Sequence, residues 1–85
     1  MLTPIQKQIL RSNLLRQLQT VRSGLPIETL LGGVELGGFN IPETVVIEAL
    51  NWLIRKGFAE ETRADFSDVV RIWKITDAGV AFLDK

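Results

Sequence analysis

Apolar positions along this 85-residue chain change their spacing twice, once at a glycine-rich middle and again after Gly57. Near the amino end, Leu10, Leu14, Leu18 and Val21 recur at intervals of four, four and three residues. That spacing makes one stripe of a helix turning about 100° per residue. Thr3-Pro4-Ile5-Gln6 starts the helix as a capping box. The Thr3 hydroxyl accepts from the backbone N–H of Gln6, Gln6 reaches back, and Pro4 suits the first helical position. Gly24 supplies a stop, so a helix over 4–23 is predicted. Ile5 and Ile9 fall on a different side from the leucine stripe. Residues 26–31 predict a short second helix, ended by Gly32-Gly33. Val34, Glu35 and Leu36 then read as extended, before Gly37-Gly38 turns the chain again.

Asn40 as N-cap, with Glu43 in the capping-box position, predicts a third helix running to Lys56 and stopped by Gly57. This helix is apolar around most of its circumference, with Val46, Ala49, Leu50 and Leu53 central. Its polar strip is narrow: Thr44, Glu48, Asn51 and Arg55. Beyond Gly57 the period falls to two. Residues 58–63 and 69–75 predict paired strands, the second rich in β-branched and aromatic side chains. A polar connection around Phe66 joins them. Trp73 and Ile75 share a face with Val69 and Arg71, while Val70 and Ile72 point the other way. Thr76 caps a last helix carrying Val80, Phe82 and Leu83. The elements make an α+β fold, read as a single domain over 1–85. It has three to four helices and a two- or three-stranded antiparallel sheet, the third strand falling near 34–36. The expected core is Leu10, Leu14, Leu18, Leu30, Val46, Leu50, Leu53, Trp73, Ile75 and Leu83.

Composition adds a surplus of apolar surface. Apolar residues make up 46% of the chain before its seven glycines are counted, and with them the share passes the roughly 45–50% usual for soluble domains. A domain this small has little interior, so part of that surface is expected to meet a partner. Ile5 and Ile9 are the candidates, in a homodimer built on the first half of the first helix. Net charge is zero but unevenly spread. Lys7, Arg11, Arg16 and Arg22 stand in the first 24 residues without an acid, and the remainder is correspondingly acidic. An acid-free, arginine-rich amino end also resembles a mitochondrial presequence. The segment is needed for the fold, so it is assigned to the domain. No uncharged run approaches the length of a membrane span, no signal peptide is visible, and a cytoplasmic protein is expected.

Catalytic chemistry finds little to work with. There is no cysteine, no tyrosine and no histidine. The carboxylates Glu60, Glu61, Asp65 and Asp68 lack the glycine and closing glutamate of a calcium loop. The glycine pairs match neither phosphate-loop nor dinucleotide spacing. A non-enzymatic protein without a cofactor is expected.

Two motifs carry a family likeness. Leu50-Asn51-Trp52-Leu53-Ile54-Arg55-Lys56-Gly57-Phe58-Ala59 resembles the end of a winged helix-turn-helix recognition helix running into its first wing strand. Trp73-Lys74-Ile75-Thr76-Asp77-Ala78-Gly79, with Leu83 following, is similar to the wing exit of the same superfamily. More loosely, the layout resembles small winged-helix proteins of Mu-like prophages. The superfamily resemblance implies a DNA-binding regulator, and it nominates Thr44, Glu48, Asn51 and Arg55 for bases and Arg63 and Arg71 for phosphates. The departures are acidic. The polar strip exposes one acid for each base, and the wing region carries Glu60, Glu61, Asp65 and Asp68 against Arg63 and Arg71. A pI of about 6.2 is low for a DNA-binding domain, where values above about 9 are common. Two readings therefore stand. One is a dimeric DNA-binding regulator, which leads. The other is a winged helix used as a protein-interaction module, with Phe39 and Phe66 as surface anchors. Trp52 and Trp73 are expected in the core.

Overall fold

The computed structural model describes residues 2–38, 40–64 and 67–84. The order of elements is α1 (Pro4–Thr20), α2 (Ile27–Leu36), α3 (Glu43–Arg55), β1 (Ala59–Ala64), β2 (Ser67–Ile75) and α4 (Asp77–Leu83). α1 begins as its capping box dictates. The Gln6 N–H donates to the Thr3 hydroxyl at 3.1 Å, and the Thr3 N–H donates to the Gln6 side chain at 2.9 Å. The helix ends at Thr20, three residues before the expected Ser23, with Val21 as its C-cap.

The largest departure lies in the glycine-rich middle. Gly32-Gly33 does not end α2, and Val34, Glu35 and Leu36 are helical rather than extended. The reason is a close approach of α1. Gln17 donates to Asn13 Oδ1 at 2.8 Å and to the Leu30 carbonyl at 3.2 Å. A Cβ at Gly33 would sit 2.1 Å from the Gln17 side chain. Gly33 thus serves interhelical packing, and Leu30 and Val34 on either side of it are buried. The third strand is displaced accordingly. A single residue before α2, Leu25, bridges Trp73, with both backbone N–H groups donating across at 3.0 Å.

Asn40 is not the N-cap of α3. Pro42 holds that place and no side chain caps the helix. The stop at Gly57 is as expected, with φ of 79°. β1 and β2 pair antiparallel, Ala59 opposite Ile75 and Arg63 opposite Arg71. Thr76 closes the end of the sheet. Its N–H donates to the Phe58 carbonyl, its hydroxyl donates to the Gly57 carbonyl at 2.6 Å, and that hydroxyl accepts from the Gly79 N–H at 3.1 Å.

The core joins Leu10, Leu14, Leu15 and Leu18 of α1 to Leu30 and Val34 of α2 and to Val46, Ala49, Leu50 and Leu53 of α3. Ala59 and Trp73 close it from the sheet. Ile75 and Leu83, expected inside, are half-buried at its edge. α1 shows why the chain holds more apolar surface than its core uses. Leu10, Leu14 and Leu18 turn inward, while Ile5 and Ile9 remain 70% and 52% exposed.

Candidate nucleic-acid interface

Four elements meet around the outer face of α3. The buried side of the helix is Val46, Ala49, Leu50 and Leu53, so the opposite side is fixed by the helical period. Thr44, Glu48, Asn51 and Arg55 are all exposed there. The narrow polar strip is therefore one continuous ridge along the second helix of a helix-turn-helix pair, α2 and α3.

The two flanks of the ridge differ in charge. On one side a groove of about 360 Å³ separates α3 from the amino half of α1. Lys7 and Arg11 line it together with Glu48, Asn51, Trp52 and Arg55. The Arg11 guanidinium lies 4.0 Å from the centre of the Trp52 ring, and the Lys56 ammonium lies 5.6 Å from it. Trp52, expected in the core, is half-buried at its edge with both cations near its ring.

On the other flank lie the first turns of α2 and α3 and the base of the sheet. Glu28, Glu43, Ile47 and Arg71 line a cleft of about 350 Å³ there. The register explains the charges. Arg63 and Arg71 sit directly opposite each other, which by itself is unfavourable. Glu61, two residues before Arg63 on the same face, bonds both: to Arg63 at 3.0 Å and to Arg71 at 2.5 Å. The Arg71 hydrogen bond, with a smaller contribution from Arg63, holds the Glu61 carboxyl below its ordinary pKa despite opposing desolvation. Glu61 in turn raises the pKa of Arg71, and Glu43 adds to the effect. The Arg71 guanidinium also lies 4.9 Å from the centre of the buried Trp73 ring.

The residues nominated from sequence fall into three groups. Thr44, Glu48, Asn51 and Arg55 form the ridge. Arg63 and Arg71 come together beside it but share one carboxylate. Ile5 and Ile9 stand apart, on the outer side of α1, along a broad groove lined also by Gln8, Ser12, Asn13 and Arg16. Phe39 and Phe66 lie outside the described residues. Lys7 and Arg11 were not nominated for this face, although their freedom from acidic neighbours was visible in the sequence.

Helix, bridging residue, helix-turn-helix, two-stranded wing and closing helix make this fold a winged helix-turn-helix. Solved structures of that class superpose on it. An apo form of a doubly substituted ZitR from Lactococcus lactis gives a TM-score of 0.78 at 17% identity, covering 92% of this chain and 54% of its own. The PcaV transcriptional regulator from Streptomyces coelicolor, in complex with its natural ligand, gives 0.70 at 20% identity, with coverages of 87% and 48%. A MepR variant from S. aureus gives 0.74 at 15% identity, with coverages of 92% and 59%. ZitR is a zinc-responsive MarR family member. The chain spans about half the length of these structures. No family model and no curated protein sequence matches it. Among the described residues, no helix is long and apolar enough to cross a membrane.

Proposed function

We propose that this chain is a sequence-specific DNA-binding regulator that presents α3 to the major groove. The observation that carries the proposal is the exposed ridge of Thr44, Glu48, Asn51 and Arg55 on the second helix of the helix-turn-helix. Asn and Arg form bidentate pairs with adenine and guanine edges, and Glu accepts from cytosine, so the ridge holds the side chains that base reading needs. The superposed transcription regulators support the same class of function. A salt titration of binding to mixed-sequence DNA tests it. Affinity should fall steeply as salt rises, because bound cations are released from the duplex. Failure to bind at low salt would overturn the proposal.

The proposal includes a homodimer. Ile5 and Ile9 present apolar surface on the side of α1 turned away from the core. Sedimentation at tens of micromolar should show a dimer, and replacing both residues by Lys should give a folded monomer. A monomeric unmodified protein would refute this part.

A second reading, a protein-interaction module, is favoured by the sharing of Glu61 between the two wing arginines. It would draw on Ile47, Ile54, Phe39 and Phe66, since buried apolar anchors dominate protein interfaces. In that case alanine at Ile47 and Phe66 should abolish partner binding, while alanine at Asn51 and Arg55 does little.

A further inference from the structure

The leucine stripe of α1 does not end where the core ends. At about 100° per residue, Lys7 and Arg11 fall within roughly 60° of Leu14, on the same face as Leu14 and Leu18. Toward the carboxyl end this face meets the core, where Leu14 and Leu18 are fully buried. Toward the amino end it meets the polar ridge of α3, and there the stripe carries cations. Lys7, Arg11 and Arg55 surround the groove, with Glu48 as the one carboxylate among the described residues that line it. Ion pairs among the described residues are confined to Glu61 and the two wing arginines, so neither Lys7 nor Arg11 is held by a described carboxylate. The opposite flank has the reverse balance. Glu28, Glu43 and Glu61 stand there against Arg63 and Arg71.

A nucleic-acid backbone lying beside α3 meets these two flanks with very different energies. Each accessible cation that neutralises a phosphate releases a counterion. An arginine already bonded to a carboxylate must give up that charge-assisted bond first. From this asymmetry we infer that the phosphate contacts of this domain come from the amino half of α1, through Lys7 and Arg11, and not from the wing. The occupant of the α1–α3 groove's rim is the sugar-phosphate backbone of a duplex whose major groove holds α3. This rests on the DNA-binding reading above. It also leaves the Ile5 and Ile9 face free, because those residues lie on the far side of the same helix.

The test compares four variants of the full chain by fluorescence anisotropy on one mixed-sequence duplex, between about 50 and about 200 mM salt. Lys7→Ala should flatten the slope of log affinity against log salt by about one, a roughly threefold smaller loss of affinity over that range. Arg11→Gln should do the same, with a thermal melt confirming that loss of the Trp52 contact leaves the domain folded. Paired Arg63→Ala and Arg71→Ala should leave the slope unchanged. Glu61→Gln should steepen it, because both wing arginines are released. Binding whose slope ignores Lys7 but flattens on loss of the wing arginines overturns this inference and leaves the DNA-binding reading intact. Absence of DNA binding at the lowest salt overturns both. Binding of an acidic protein by the same Lys7 and Arg11, with no affinity for DNA, would assign the groove to a different partner and also refute the inference.

Discussion

Gly79 sits in the first turn of α4, where ordinary helix energetics favours alanine. Replacing a helical glycine by alanine gains about 1 kcal/mol from propensity alone. The tertiary structure opposes that gain. A Cβ on Gly79 would lie 2.2 Å from the Phe58 carbonyl oxygen and 2.8 Å from an Ile75 side-chain carbon. The first contact is about 0.8 Å inside the 3.0 Å limit real side chains respect, and its partner is backbone. Relief therefore requires α4 to move away from the turn after α3. That carbonyl accepts from the Thr76 N–H at 3.0 Å, and Thr76 also donates to Gly57 at 2.6 Å. Losing the Thr76 N–H bond with its groups still shielded costs about 1–3 kcal/mol, and losing the exposed hydroxyl bond to Gly57 costs about 0.5–1.5 kcal/mol. Loss of both, less the propensity gain, leaves Gly79→Ala destabilised by roughly 0.5–3.5 kcal/mol. For a domain of this size that lowers Tm by about 2–28 °C. Gly32 is the control. It is helical too, and a Cβ there meets nothing within 4 Å, so Gly32→Ala should stabilise by about 0.5–1 kcal/mol. Urea denaturation of the two variants decides the matter. Equal or greater stability for Gly79→Ala than for the parent would refute the packing argument.

Leu50→Ala empties a fully buried site at the centre of α3 and should cost about 2–5 kcal/mol by denaturant unfolding. Asn51→Ala and Arg55→Ala, on the exposed ridge, should leave melting unchanged while each weakens binding to a selected site by about 1–3 kcal/mol, read by competition titration. The folded protein lowers the pKa of Glu61, so the stability this carboxylate contributes is complete above the ordinary value of about 4.3 and disappears as pH falls through the lowered one. Melts near pH 6 should therefore separate the parent from Glu61→Gln, and melts well below the ordinary carboxylate value should narrow that difference. A constant difference at both pH values would show that Glu61 acts other than through its charge.

Local signals determined much of this protein. The caps at Thr3 and Thr76 act within three residues of themselves, and both form as the sequence predicts. The change from helical to alternating period at Gly57 marks the start of the wing, and the buried and exposed sides of α3 follow from its own spacing. The candidate ridge of Thr44, Glu48, Asn51 and Arg55 was legible for that reason. Contacts between distant residues were not. Gly32-Gly33 looks like a helix end until Gln17, sixteen residues earlier than Gly33, crosses it. Leu25 carries no strand signal of its own, and only Trp73 makes it a bridge. Asn40 offers a cap, yet the chain enters α3 at Pro42. The wing arginines are plain in the sequence, but their pairing to Glu61 depends on cross-strand register. Lys7 and Arg11 are equally plain, yet their place beside α3 depends on how far α1 extends past the core. A side chain's identity and periodicity are properties of its own segment, whereas its electrostatic partners are set by which segments pack together. In this chain local spacing and caps placed most helices, both strands and the exposed ridge of α3, and the packing of distant segments set the end of α2, the Leu25 bridge and the charges that flank that ridge.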